Sequence, residues 1–118
     1  MPDFPVMLGY DKAKAATSIQ TSLNAGAKAG GFSALLPELP LLTRRLIDAH
    51  LSYLHECGAL DETGDTGEGD YDEDDAFEYL LDAVSGGRPE TDMDALAALI
   101  EAFFPAQDEF MEREGLMG

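Results

Sequence analysis

Apolar residues recur along this chain with a helical period, and the alternation typical of strands is hard to find. The first predicted helix runs from Asp11, a suitable N-cap residue, to Lys28. Its apolar positions form one thin stripe, with spacings of three, four and four residues: Ala16, Ile19, Leu23 and Ala27. We expect Gly30 and Gly31 to end this helix, because glycine is a poor helix former and a common cap.

The second predicted helix follows two prolines and is the most apolar of the chain. Pro37 and Pro40 are tolerated in a first helical turn but not later. The helix continues to Cys57, and Gly58 is placed to follow its C-cap. Its apolar positions predict burial on much of the circumference; they are Leu39, Leu42, Leu46, Ile47, Ala49, Leu51, Tyr53 and Leu54.

An acidic run opens the third predicted helix, at the end where carboxylates meet the positive pole of the helix macrodipole. The run consists of Asp72, Glu73, Asp74 and Asp75. An amphipathic face follows at positions i, i+3, i+4 and i+7: Phe77, Leu80, Leu81 and Val84. We expect Gly86 and Gly87 to end this helix.

A fourth helix is predicted from Thr91, its expected N-cap, with Asp94 three residues later as a variant of the capping box. Its apolar face consists of Met93, Leu96, Ala97, Ile100, Phe103 and Phe104. Pro105 removes a backbone donor, so we expect it either to kink this helix or to begin a fifth one. The tail of residues 106–118 then either docks as a short helix or frays.

These elements predict an all-α fold, a small bundle of four helices with a fifth as the alternative. The chain has 118 residues, of which 45% are hydrophobic, and this suits a single domain with one core. We divide residues 1–118 into a helical pair at about 10–58, an acidic linker at 59–72 and a second pair at about 73–114. Residues 61–75 hold nine acids, three glycines and no base, which predicts a flexible, solvated loop in which nothing packs.

The whole net charge of −17 lies in the second half of the chain. Residues 1–60 carry five basic and five acidic side chains, whereas residues 61–118 carry two arginines and nineteen acids. This asymmetry favours a charge-selective partner over catalysis. Direct nucleic-acid binding is disfavoured, because phosphate contacts need clustered lysine and arginine. Arg44 and Arg45 are the only adjacent bases, and we expect them to meet C-terminal carboxylates within the monomer or across a homodimer.

The candidate contact surface lies between residues 61 and 82. On the third helix, Asp75, Glu78 and Asp82 share a face at successive rises of ~4.5 and ~6 Å, comparable with the spacing of backbone phosphates. The candidate partner-binding residues are Asp70, Asp72, Glu73, Asp74, Asp75, Glu78 and Asp82. This pattern predicts a non-enzymatic module that docks on a basic protein, as an inhibitor, an immunity protein, a nucleic-acid mimic or an adaptor.

Two other functions stay open at this point. A helical assembly factor or chaperone, such as a phage accessory protein, would bind through apolar helix faces. Its anchors would be Phe103, Phe104, Phe110 and Met111, although we favour a core that continues through these residues. In a salt-loving host the acidity would hydrate the surface, but the neutral first half of the chain fits this origin poorly.

Candidate chemical sites are few. The acidic loop lacks the central glycine and the final glutamate of an EF-hand. His50 and His55 are about 140° apart on one helix and cannot chelate a metal as an i, i+4 pair. We expect both histidines at the surface or its boundary and Cys57 buried or half-buried. No metal ligand, cofactor site or catalytic residue is therefore predicted.

The sequence also indicates where in the cell the protein resides. No apolar stretch approaches the ~20 residues of a membrane span, and the first residues lack a secretory pattern. Cys57 has no partner for an internal disulfide, which fits a reducing environment. We therefore expect a cytoplasmic protein without membrane contact.

Overall fold

A computed structural model of the chain describes residues 10–60, 67, 69, 71–86, 88 and 90–115, and for Thr91 the backbone alone. The described residues form an all-helical structure without a strand. Its α-helices are α1 (Lys12–Gly30), α2 (Leu39–Glu56), α3 (Glu73–Ser85) and α4 (Met93–Arg113). Short 3-10 turns at Ser33–Glu38 and Glu90–Asp92 precede α2 and α4. The prediction of a small four-helix bundle is confirmed.

The four helices enclose one core. Helix α1 packs against α2 and α4, and α3 also packs against α2 and α4. The two halves of the chain therefore share their core, with Phe32, Phe103 and Phe110 among its largest fully buried side chains. Burial of each such ring stabilises the fold by ~1.5–3 kcal/mol. Among the described helices, none is both long and apolar enough to cross a bilayer.

Helix α1 begins at its predicted N-cap. The side chain of Asp11 accepts a hydrogen bond from the backbone nitrogen of Lys14 at 3.1 Å. The helix ends at Gly31, whose φ of 84° places it in the left-handed region that glycine adopts most easily. The buried stripe has a spacing of four throughout: Ala15, Ile19, Leu23 and Ala27. Ala15 thus takes the place that the sequence pattern gave to Ala16.

Helix α2 is buried on much of its circumference, as its pattern predicts. All eight apolar positions predicted for this helix are buried. Pro37 lies in the preceding 3-10 turn and Pro40 in the first helical turn, where proline costs no hydrogen bond. Gly58 follows the C-cap residue Cys57 with a φ of 85°. The chain can therefore turn sharply at the end of the helix.

Helix α4 differs from its prediction at both ends. The 3-10 turn includes Thr91, so the residue that caps α4 is Asp92, which makes no side-chain capping bond. The helix then continues through Pro105 to Arg113, and no fifth helix exists in the described part of the chain. Pro105 is exposed, while Phe110 and Met111 beyond it are buried. Burial on the core side holds the helix together despite a proline cost of ~3 kcal/mol.

Candidate functional site

Helix α3 exposes five carboxylates. None of them forms an ion pair with any other described residue. We name them the acidic face: Glu73, Asp74, Asp75, Glu78 and Asp82. Five of the seven predicted partner-binding residues thus lie together on one helix. Asp70, a sixth, lies outside the described residues.

The orientation of the acidic face follows from the opposite side of α3. Ala76, Leu80 and Val84 are buried in the core at spacings of four residues. Phe77 and Leu81 are half-buried at the margins of this stripe. Since the apolar stripe fixes the rotation of the helix, Asp74, Asp75, Glu78 and Asp82 must project into solvent, whereas Glu73 is exposed because it lies at the first residue of α3.

The seventh predicted residue, Asp72, has a structural role. Its Oδ1 accepts hydrogen bonds from the backbone nitrogens of Asp74, at 2.9 Å, and Asp75, at 3.4 Å. Asp72 is therefore the N-cap of α3, and it satisfies amide groups that have no partner within the helix. Its carboxylate also adds negative charge at the end of the helix that favours it.

The basic side chains that form ion pairs meet carboxylates outside α3. The pairs are Lys12 with Asp48 at 3.0 Å, Lys14 with Glu114 at 2.8 Å, Arg88 with Glu38 at 2.7 Å and with Asp92 at 3.4 Å, and Arg113 with Glu109 at 3.2 Å. Arg44 and Arg45 are exposed, and neither forms an ion pair with a described residue. Ion pairs between the two halves are instead made by Lys14, with Glu114, and by Arg88, with Glu38. No ion pair with a described residue offsets the charge of the acidic face.

Arg88 closes the other end of α3. Its Nε donates to the backbone oxygen of Val84 at 3.1 Å, and its two Nη atoms bind the two carboxylate oxygens of Glu38 at 2.7 and 3.0 Å. This bidentate contact holds the pKa of the Glu38 carboxyl below its ordinary value. A cation at the C-terminus of α3 complements the macrodipole, as the acids do at the N-terminus.

A chain of hydrogen bonds runs from the core to the start of α3. The Tyr10 hydroxyl donates to Oε1 of Gln107 at 2.5 Å, and Nε2 of Gln107 donates to Nδ1 of His50 at 3.0 Å. Since Nδ1 accepts, the His50 proton lies on Nε2, which donates to the Tyr71 hydroxyl at 3.0 Å. Gln107 is fully buried and links Tyr10, just before α1, to His50 in α2.

His50 is only 4% exposed, so its predicted position at the surface or boundary is wrong. Burial lowers the pKa of His50 to about 4, and the ring is neutral at pH 7. Its ring meets those of Tyr71, Phe103 and Phe104 at centroid distances of 5.7–5.8 Å. Helical spacing alone did not show that α4 supplies Gln107 as a buried partner for this histidine.

The segment before α3 is packed against α2, which contradicts the expectation that nothing in residues 61–75 packs. Tyr71 makes edge contacts with the rings of His50 and Tyr53. The Tyr53 hydroxyl donates to the backbone oxygen of Asp72 at 3.2 Å, and the amide of Gly69 donates to the backbone oxygen of Gly58 at 2.7 Å. Ring contacts and backbone hydrogen bonds therefore hold Gly69, Tyr71 and Asp72, at the end of the acidic linker, against α2 and the residues that follow it.

A cleft of about 360 Å³ lies between the first turns of α3 and the middle of α4. Its lining residues are Glu73, Asp74, Phe77, Glu101, Phe104 and Pro105. Sequence reasoning did not select Glu101, because an acid among the apolar residues of this helix indicates only which side of the helix faces solvent. Only the packing of α4 on α3 brings Glu101 to the same cleft as the carboxylates of Glu73 and Asp74.

Metal chemistry finds no support in the described part of the chain. It holds no group of three or more histidine, cysteine, aspartate or glutamate side chains placed to bind an ion. Cys57 is half-buried, as predicted, and its Sγ lies 3.6 Å from the backbone oxygen of Leu54. Most of the acidic loop compared with an EF-hand, residues 61–66, 68 and 70, lies outside the described residues.

Comparison with known proteins finds no relative. No family model, no curated protein and no solved structure matches this chain. Its function is therefore inferred from its own residues and their placement.

Proposed function

We propose that this protein is a non-enzymatic docking module that binds a basic protein partner through the acidic face of α3. One observation carries this proposal: five exposed carboxylates on one helix have no ion-pair partner among the described residues. The chain has seven lysines and arginines, and four of them neutralise acids elsewhere. We expect this docking in the cytoplasm, where the lone Cys57 stays reduced.

The carboxylates of the acidic face repel one another. Glu78 is four residues from both Asp74 and Asp82, and like charges at this spacing destabilise a helix by ~0.2–0.5 kcal/mol per pair. A basic partner would remove this repulsion on binding. The net charge of −17 would also accelerate the encounter and make it sensitive to salt. An inhibitor, an immunity protein, a nucleic-acid mimic and an adaptor would each use such a face.

The packing gives less support to an assembly factor that binds through apolar faces. Its four expected anchors are all buried in the core: Phe103, Phe104, Phe110 and Met111. Side chains buried to this extent expose too little apolar area to anchor a partner helix unless the bundle opens. The acidic face, in contrast, is available in the folded protein.

The decisive experiment is affinity capture with matched charge variants. The test variant replaces Asp75, Glu78 and Asp82 by their amides. The control replaces three exposed acids on other elements, Glu90, Asp94 and Glu112, and so changes the net charge equally. Host lysate is passed over each immobilised protein at low and high salt, and retained proteins are identified by mass spectrometry. Circular dichroism verifies that all variants fold.

We expect the wild type and the control to retain the same basic proteins, released at high salt, and the test variant to lose them. Equal capture by the test variant and the wild type would rule out docking through this face. A wild-type fold that melts below molar salt would instead assign the acidity to a halophilic surface.

A further inference from the structure

We propose that the cleft between α3 and α4 holds an arginine side chain of the basic partner and gives the docking its specificity. This inference rests on the proposed function, because it names the part of the partner that this protein recognises. The acidic face of α3 would attract the partner from a distance. The cleft would then select one side chain at close range.

The shape and lining of the cleft suit a long side chain with a planar, charged end. Its volume of about 360 Å³ lies within the range of small-ligand sites. Phe77, Phe104 and Pro105 provide an apolar wall, against which a partner's methylene groups can pack. Phe77 is half-buried, so part of its ring meets solvent at the cleft. A cation that stacks on the face of such a ring gains ~0.5–1 kcal/mol.

The charges of the cleft complement a cation. Glu73 and Asp74 approach from α3, and Glu101 approaches from α4. No ion pair with a described residue neutralises any of these three carboxylates. Two helices therefore hold negative charge around a common apolar wall. Arginine fits this combination better than lysine, because its planar guanidinium stacks on rings and binds carboxylates in a bidentate manner.

Pro105 leaves one backbone oxygen of α4 without its helical donor. In an uninterrupted helix the amide of residue 105 would donate to the backbone oxygen of Glu101. Proline has no amide hydrogen, so this bond is missing in α4. The oxygen belongs to a residue that lines the cleft. A guanidinium carries five N–H donors, so it can bind more than one of the carboxylates of the cleft.

The test uses the full chain, labelled with ¹⁵N, and two small probes. N-acetyl-arginine amide and N-acetyl-lysine amide are titrated separately while the backbone amide signals are followed by NMR. Two variants with the same charge change are compared: Glu101→Gln in the cleft and Glu112→Gln, an exposed acid three turns further along α4. Phe77→Leu removes the ring while retaining charge and apolar character, and the dispersion of its spectrum reports whether it folds.

We expect the arginine probe to shift the signals of cleft residues and to bind at least about threefold more tightly than the lysine probe. Glu101→Gln should weaken arginine binding roughly fivefold, and Glu112→Gln less than about twofold. Phe77→Leu should also weaken it. Equal effects of the two glutamine variants, or shifts as large at Asp75, Glu78 and Asp82 as at the cleft residues, would overturn the proposal.

The two proposals fail separately. If the amide variant of Asp75, Glu78 and Asp82 loses the basic partner while the cleft does not bind the arginine probe, docking stands and the cleft assignment is wrong. If the cleft binds arginine but the same amide variant captures the partner as the wild type does, the acidic face is not the docking surface.

Discussion

The hydroxyl oxygen of Tyr71 lies 3.0 Å from Nε2 of His50, and this contact joins the described end of the acidic linker to the core. Tyr71 is 42% exposed, whereas His50 is 4% exposed. A side chain at the surface therefore satisfies a buried imidazole, which Gln107 binds on its other side. The start of α3, and with it the acidic face, is thereby fixed against α2.

Loss of this hydroxyl is expected to destabilise the protein. Tyr71→Phe leaves Nε2 of His50 without its partner, and such a loss costs ~1–2 kcal/mol. The free energy of unfolding in urea measures the effect. Tyr79→Phe is the control, because the Tyr79 side chain is half-buried with its hydroxyl near Ser52 and the exposed Glu56, where water can replace the hydroxyl, so its loss should cost less. Equal losses in the two variants would contradict the structural role of the His50 contact.

The buried His50 predicts a specific loss of stability in acid. Its pKa falls from 6.5 to about 4 on folding, so between these pH values the unfolded chain binds a proton that the folded protein excludes. This contribution is fully present above pH 6.5 and is lost as the pH falls toward 4. The shift corresponds to roughly 3 kcal/mol.

Urea unfolding of the wild type and of His50→Gln at several pH values between 7 and 4 isolates this contribution. We expect the wild type to lose more stability than the variant as the pH falls. Both proteins share the same carboxylates, so repulsion among the acids largely cancels in the comparison. Parallel curves for the two proteins would show that His50 does not carry the dependence.

Gly69 is expected to tolerate no side chain. A Cβ at this position would collide with the backbone oxygen of Cys57 and with the backbone of Gly58. Gly69→Ala must therefore displace the linker, at a cost of ~1–3 kcal/mol. Gly26→Ala is the control, since a Cβ there meets nothing within 4 Å and alanine favours the helix by ~0.5–1 kcal/mol. Thermal melting should thus shift in opposite directions.

Substitutions of Asp72 can separate the effect of its capping hydrogen bonds from the effect of its charge. Asp72→Ala removes both, and we expect a loss of ~1 kcal/mol in the free energy of unfolding. Asp72→Asn removes the charge but retains an oxygen that can accept from the amides of Asp74 and Asp75, so its stability should stay close to the wild type. If both variants lose the same stability, charge rather than capping explains the role of Asp72.

Replacement of Pro105 is expected to stabilise α4. Pro105→Ala restores the amide donor to the backbone oxygen of Glu101 and removes the clash of the ring with the preceding turn, a gain of ~1–3 kcal/mol. Pro40→Ala, in the first turn of α2, should change the stability by less than ~0.5 kcal/mol. Urea unfolding distinguishes the two; an unchanged Pro105→Ala would mean that α4 already compensates for the missing bond.

The sequence was sufficient to predict the features that depend on residues close together along the chain. Each helix follows from apolar spacing over a few residues, and Asp11, Gly31 and Gly58 mark ends that the structure confirms. The exposed position of Asp75, Glu78 and Asp82 also follows from helical geometry, because the buried stripe of α3 fixes its rotation. These features depend on capping preferences and on the helical spacing of apolar residues, and both involve residues only a few positions apart.

Tertiary structure alone decided the features that join distant parts of the chain. His50 is buried because Gln107, 57 positions later, and Tyr71, 21 positions later, satisfy its two nitrogens. The cleft exists because α4 brings Glu101 alongside the start of α3. No spacing pattern in the sequence predicts these contacts between distant residues. They depend on which faces of four amphipathic helices pack together, and that is settled by the burial of the whole core at once.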